Sequence, residues 1–109
     1  MISELEEDVR EQIEESLKDV IDPELGVNVV DLGLVYGLGW DDADDALTIY
    51  MTLTTAECPL QEDLAEQTRW ALNGVVERHA ISWVWMPAWT PERITADGRD
   101  MMRALGFSI

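Results

Sequence analysis

The chain has 109 residues, 47% of them hydrophobic, which is enough for one domain whose core needs neither a disulfide nor a structural metal. Its 23 acidic and seven basic residues give a net charge of −16, which argues against nucleic acid and anionic membranes as partners. A single cysteine excludes an internal disulfide and zinc sites made of Cys pairs. The acidic N-terminus and the absence of a long apolar run predict a cytoplasmic protein.

The first helix is predicted to follow Ser3, an N-cap with which Glu6 would complete a capping box. Apolar residues then recur at helical spacing and form one stripe, made of Leu5, Val9, Ile13, Leu17 and Val20. Asp22-Pro23 ends this helix, since the residue before a proline avoids the α region. Residues 22–34 lack periodicity and contain two glycines and a proline, which indicates an ordered loop of a length that often carries function.

Two strands are predicted next, with a solvated turn between them. The first covers Val35 to Trp40 and the second Leu47 to Thr54, in which apolar and polar side chains alternate with a period of two. Residues 41–45 include four aspartates but lack the alternating ligands, glycine and terminal glutamate of a calcium loop. We therefore interpret this run as a hairpin turn.

The rest of the chain completes an α/β pattern. A second helix is predicted from Pro59 to Arg78, a third strand from Ala80 to Met86, and a short helix from Thr95 to Leu105. The order is therefore α-β-β-α-β-α in one domain, residues 1–109. The predicted fold class is α/β (α+β), a two-layer sandwich in which the helices pack on a small mixed sheet.

Trp70 falls outside the apolar stripe of the second helix, on the side that holds Asp63, Glu66 and Glu77. A tryptophan on an acidic helix face is seldom left bare, because covering its apolar area is worth a few kcal/mol at about 25 cal/mol per Å². We therefore expect the C-terminal segment, for example Phe107, or a second chain to cover it.

Cys58 lies between the second strand and the second helix, in the stretch Thr54-Thr55-Ala56-Glu57-Cys58-Pro59. With Pro59 in the first helical position, Cys58 is the N-cap and faces free backbone N–H groups at the positive end of the helix dipole. This position favours the thiolate, the nucleophilic and metal-binding form, whereas Glu57 opposes a second negative charge. A buried, inert cysteine is the alternative. Position alone leaves both interpretations open.

Four short segments, taken in their order and spacing, resemble a known family. They are Asp22-Pro23-Glu24-Leu25, Asp31-Leu32-Gly33-Leu34-Val35, Thr52-Leu53-Thr54-Thr55 with Cys58-Pro59, and Pro87 to Trp89. The chain resembles the metal–sulfur cluster assembly factors, a family that includes SufT and the phenylacetate-degradation protein PaaD, over residues 5–109. Its C-terminal stretch, Ile94 to Arg99 with Leu105 to Phe107, is most similar to actinobacterial SufT-type proteins. Ala88 stands where the family often has a proline.

The resemblance implies an accessory or targeting factor in iron–sulfur cluster assembly and in the maturation of iron–sulfur proteins, and not an enzyme. The family's cysteine falls on Cys58, its acidic loop on Asp22 and Glu24, and its paired threonines on Thr54 and Thr55. We expect these five side chains to border one functional cleft. The implied partners are a SUF-type scaffold or carrier and apo client proteins, with the protein itself a monomer or a homodimer.

One cysteine and one histidine cannot enclose a conventional cluster, which needs four thiolates, or two thiolates with two histidines. We therefore expect no tightly bound cofactor, and Cys58 is a candidate ligand for a transient iron–sulfur cluster or iron shared with a partner. Thiol exchange without metal is an alternative role for this side chain. Two further alternatives are a metal-free adaptor that recruits apo-proteins and a cysteine-dependent hydrolase or transferase. The enzyme alternative lacks a base, since the predicted helix would hold His79 about 30 Å from Cys58.

Overall fold

The computed structural model describes residues 2–54 and 58–108, apart from the side chain of Cys58. Four strands and three helices follow one another in the order β-α-β-β-α-β-α. Their bounds are β1 Ile2–Ser3, α1 Glu7–Leu17, β2 Val35–Asp41, β3 Ala46–Met51, α2 Cys58–Ala71, β4 His79–Trp83 and α3 Ala96–Ala104, with a 3₁₀ turn at Pro91–Arg93 before α3.

The four strands form one mixed sheet in the order β1-β2-β3-β4. β2 pairs antiparallel with both β1 and β3, and the short hairpin turn at 41–45 joins β2 to β3. β3 and β4 run parallel because α2 carries the chain back between them. The predicted fold class is confirmed, and β1 adds an edge strand that the sequence did not predict.

The core lies between the sheet and the helices. Alternate residues of β3 are fully buried on the helix side, which confirms the two-residue period of this strand: Leu47, Ile49 and Met51. They pack in one apolar cluster with the stripe of α1, the inner face of α2 and the loop at 22–34. That loop contributes Val27, Val29, Leu32 and Leu34, so it is part of the core and is ordered as predicted.

The capping box predicted at the start of the first helix is wrong. Ser3 lies in β1 opposite Trp40, and its hydroxyl donates a hydrogen bond to the carboxylate of Asp42 in the hairpin turn. The helix begins later, with Glu6 as an N-cap that makes no side-chain capping bond. Because the helix starts only at Glu7, Ser3 lies three residues before its N-cap and pairs with β2 instead.

The second helix begins and ends earlier than predicted. α2 begins at Cys58 itself, so Pro59 is its second residue, where the missing N–H also costs nothing because the first four N–H groups of a helix lack internal partners. It ends at Ala71 because Gly74 adopts φ +84°, a left-handed conformation that turns the chain. His79 therefore opens β4 and does not follow directly on a helix end.

Trp70 is 65% exposed, so the prediction that the C-terminal segment covers it is wrong. That segment packs elsewhere: the side chain of Leu105 lies against Gly26, in the loop at 22–34. Trp70 is contacted by the guanidinium of Arg69, which lies 5.6 Å from its ring centre. Coverage by a second chain stays a prediction. Within the described residues, no helix combines the length and the apolar character needed to cross a membrane.

His79 gives the fold a predictable pH dependence. Burial lowers the pKa of its imidazole below the ordinary value of 6.5, and the positive charge of Arg69 lowers it further. The unfolded chain therefore binds this proton more readily than the folded chain, so the stability contributed by neutral His79 is present above pH 6.5 and is lost as the pH falls. Urea unfolding at pH 7.5 and pH 5.5 should show that His79→Gln loses less stability than the wild type over this interval. Equal losses in the two proteins would contradict the assignment, since residue 79 is the one position at which they differ.

Candidate functional site

Asp22 lies at the start of the loop at 22–34 and is fully buried. Its Oδ1 accepts hydrogen bonds from the backbone N–H groups of Glu24 (2.8 Å) and Leu25 (3.2 Å). This is the tight turn that an aspartate followed by proline favours, because the side chain replaces a backbone acceptor. The segment Asp22-Pro23-Glu24-Leu25 is therefore a turn built on one carboxylate.

The other oxygen of Asp22 reaches the end of β3. The hydroxyl of Thr54 donates a hydrogen bond of 3.2 Å to Asp22 Oδ2. Two residues earlier in the chain, the N–H of Thr52 donates a hydrogen bond of 2.8 Å to the carbonyl of Leu34. Leu34 is the last residue of the same loop. The loop is thus attached to the segment after β3 at both of its ends.

Gln67 of α2 fixes the residue that precedes Asp22. Its side-chain amide accepts from the N–H of Ile21 at 2.8 Å and donates to the carbonyl of Ile21 at 2.9 Å. A glutamine on a helix face gives no sequence signal for such a contact, and we did not predict it. The pair of bonds positions the start of the loop against α2.

Asp31 organises the second half of the loop. Its carboxylate accepts from the amide of Asn28 and from the hydroxyl of Thr95, both at 2.8 Å. The backbone of Asp31 also accepts from the N–H of Thr95 at 2.9 Å. Thr95 is in turn the N-cap of α3 and accepts from the N–H of Gly98. The loop and the last helix therefore share one hydrogen-bond network.

Gly33 explains the glycine in the segment from Asp31 to Val35. It adopts φ +77°, and a Cβ at this position would lie 2.5 Å from the carbonyl oxygen of Arg93. Beside it, the indole of Trp89 donates a hydrogen bond of 2.7 Å to the carbonyl of Leu32. Two of the segments that carry the family resemblance are thus in direct contact, although they are far apart in sequence.

The N-terminus of α2 lies at the same end of the sheet as Thr54. The first turn of α2 carries no acidic residue, so no carboxylate of that turn offsets the positive end of the helix. Thr55, Glu57 and the side chain of Cys58 lie outside the described residues. The structure brings Asp22, Thr54 and the backbone of Glu24 together, and the convergence of all five predicted residues on one cleft stays a prediction.

Asp22 is placed to position the loop. Its carboxylate is fully buried and takes three hydrogen bonds, so its oxygens are occupied by the protein itself. Glu24, by contrast, has an exposed side chain at the surface of the same turn. Among the described residues, no group of three His, Cys, Asp or Glu side chains is arranged to hold a metal ion.

His79 lies at the opposite end of the sheet from Thr54. β3 and β4 run parallel with Leu47 opposite His79 at one end and Met51 opposite Trp83 at the other. The chain leaves β3 from the Met51 end, and a strand of six residues is about 20 Å long. Although α2 is shorter than predicted, His79 therefore remains far from the start of that helix.

A family profile covers most of this fold, including this end of the sheet. The profile of the family described as iron-sulfur cluster assembly protein matches residues 10–83. This is more than half of the chain, and it includes the loop at 22–34, the end of β3 and all of α2. The chain belongs to this family.

Individual relatives agree with this assignment. The Fe-S protein maturation auxiliary factor YitW of Bacillus subtilis is 40% identical over 94 residues, covering 84% of this chain and 90% of its own. The Fe-S protein maturation auxiliary factor SufT of Staphylococcus aureus is 37% identical over 91 residues, covering 82% and 99%. The crystal structure of a domain of unknown function from Bacillus anthracis aligns with a TM-score of 0.78 at 32% identity, covering 94% and 95%. The predicted resemblance to SufT-type proteins is confirmed.

Replacing Asp22 by alanine should destabilise the protein and loosen the loop. Asp22→Ala leaves two backbone N–H groups and the Thr54 hydroxyl without their acceptor, so we expect a loss of about 2 kcal/mol or more in urea unfolding. Asp44→Ala, at an exposed aspartate of the hairpin turn, is the matched control and should change stability by less than about 0.5 kcal/mol. Equal effects of the two substitutions would show that the Asp22 contacts contribute nothing to the fold.

Proposed function

We propose that this protein is an accessory factor for the maturation of iron–sulfur proteins and that it acts through Cys58. The observation that carries the proposal is the start of α2 at Cys58, at the end of the sheet where the Asp22 loop and Thr54 meet. Its relatives YitW and SufT are named as Fe-S protein maturation auxiliary factors, which supports the same role here.

The helix N-terminus gives Cys58 its proposed chemistry. Unpaired N–H groups in the first turn of α2 stabilise negative charge, and the thiolate is the form that attacks disulfides and binds metal. The Asp22–Thr54 hydrogen bond ties the loop to the segment after β3, four residues before Cys58. The chain supplies one thiolate, so any iron or cluster that it handles is cargo shared with a scaffold, carrier or client that brings the other ligands.

The cysteine-dependent enzyme is the weaker alternative. A catalytic cysteine needs a base within hydrogen-bonding distance. The one histidine of the chain lies at the other end of the parallel β3–β4 pair. It is therefore too far from the start of α2 to take a proton from Cys58. A metal-free adaptor remains the alternative that differs least from the proposal, because it uses the same surface without the thiol.

Cys58→Ser should abolish the activation of iron–sulfur enzymes in cells that lack the wild-type protein. Serine is nearly isosteric with cysteine and fits a helix N-terminus well, so the urea midpoint should stay within experimental error of the wild type. Aconitase-type activity in extracts is the readout, with Asp44→Ala as a variant that should complement fully. Full complementation by Cys58→Ser would leave the adaptor role in place of the proposed one.

Anaerobic reconstitution separates a carrier from an adaptor. The purified protein is incubated with ferrous iron and sulfide, alone and with an apo-ferredoxin, and visible absorbance is followed through gel filtration. Under the proposal, absorbance in the ferredoxin fraction rises faster with the wild type than with Cys58→Ser. Identical rates for the two proteins would contradict a role of the thiol in transfer.

A further inference from the structure

β4 forms one edge of the sheet, and its outer side has no partner in the described part of the chain. The N–H of Leu47 donates to the carbonyl of Arg78, and the N–H of Val84 donates to the carbonyl of Met51. In a parallel ladder the residues that bond to the neighbouring strand alternate, so residues 78, 80, 82 and 84 face β3. The backbone N–H and C=O groups of His79, Ile81 and Trp83 therefore point outward, away from the sheet.

This edge lacks the features that usually keep strand edges from pairing. Natural edge strands are protected by lysine, proline, a bulge, very short length or a covering element. β4 has five residues, no charge and no proline, and its pairing with β3 is regular from Leu47–His79 to Met51–Trp83. The opposite edge of the sheet is β1, which is only two residues long. Of the two edges, only that of β4 is long enough to accept another strand.

The same region is the least charged part of a strongly acidic chain. Residues 1–45 hold fifteen of the 23 acidic residues and two of the seven basic ones, whereas residues 46–109 hold eight acidic and five basic residues. No Asp, Glu, Lys or Arg occurs between Arg78 and Glu92. Two copies of a chain with net charge −16 repel one another through most of their surface, and the β4 edge is where this repulsion is smallest.

We propose that two copies of this chain associate through their β4 edges, as antiparallel strands around a two-fold axis. Only residues with outward backbone groups can exchange hydrogen bonds, so the axis passes beside Ile81. Ile81 then pairs with Ile81 of the second copy, and His79 pairs with Trp83 of the second copy on each side of the axis. These three pairs satisfy all six outward N–H groups of the two strands and produce one continuous eight-stranded sheet.

The position of the acidic hairpin turns supports the antiparallel direction. Each turn lies beyond the Leu47–His79 end of the β3–β4 pair, so antiparallel β4 strands place the two turns at opposite ends of the joined sheet. A parallel arrangement would instead bring the two acidic hairpin turns at 41–45 to the same end of the joined sheet.

Ala80 and Ser82 provide a test of this register. Both are exposed on the sheet face opposite the helices, since Ile81 between them packs on the core. In the proposed pairing Ala80 lies directly opposite Ser82 of the second copy, with Cα atoms about 4.5 Å apart. Charges introduced at these two positions therefore meet across the interface, while the fold of each copy is unaffected.

Sedimentation equilibrium of three double variants measures the effect. Ala80→Asp with Ser82→Asp, and Ala80→Lys with Ser82→Lys, place like charges opposite one another and should weaken the dimer about tenfold. Ala80→Lys with Ser82→Asp places opposite charges together and should dimerise at least as tightly as the wild type. The Lys/Lys variant lowers the net negative charge of the chain, so its weakening separates the local contact from overall repulsion.

The proposal is overturned if the wild type remains monomeric up to about 1 mM, a limit that corresponds to a very weak complex. In that outcome the edge is open to a strand of another protein and not to a second copy. It is equally overturned if the three variants dimerise alike, since the interface would then lie elsewhere. Neither result bears on the role of Cys58, because the measurement uses no iron–sulfur assay.

Discussion

The buried carboxylate of Asp22 is the interaction on which the loop and the candidate site depend. Two of its hydrogen bonds close the turn from Asp22 to Leu25, and the third, from Thr54, ties this turn to the segment after β3. A buried carboxylate is tolerated only when such partners surround it. The same loop places Val27 and Val29 in the core, so one loop contributes both to the candidate site and to the core.

Asp31 repeats this arrangement at the other end of the loop and extends it to the last helix. Its bonds to Asn28 and Thr95 join the loop to α3, and the close approach of Gly33 to Arg93 leaves no room for a side chain. Whereas Glu24 is exposed, Asp22 and Asp31 of the family segments thus have a structural role in this chain. Its large negative charge belongs to other residues, above all those of α1 and the hairpin turn.

Local patterns predicted the elements whose periodicity is complete. The alternation in β3 predicted its buried face, and the stripe of α1 did so at Ile13 and Leu17, although Val9 is exposed. The proline after Cys58 marks a helix start within one residue. Contacts between distant segments give no comparable pattern in the local sequence. Nothing near Ser3 indicates that it pairs with Trp40, and nothing near Gln67 indicates that it holds Ile21. The family resemblance pointed to the right segments but not to which of them touch.

The parallel pairing of β3 with β4 separates two kinds of surface. At the Met51 end lie Thr54, the Asp22 turn and the N-terminus of α2, which is the positive end of the helix dipole. At the other end lie His79 and the hairpin turn, whose aspartates repel anions. The open edge of β4 runs between these ends without crossing either of them. A strand bound there would therefore extend the sheet sideways, away from the Asp22 turn and the start of α2.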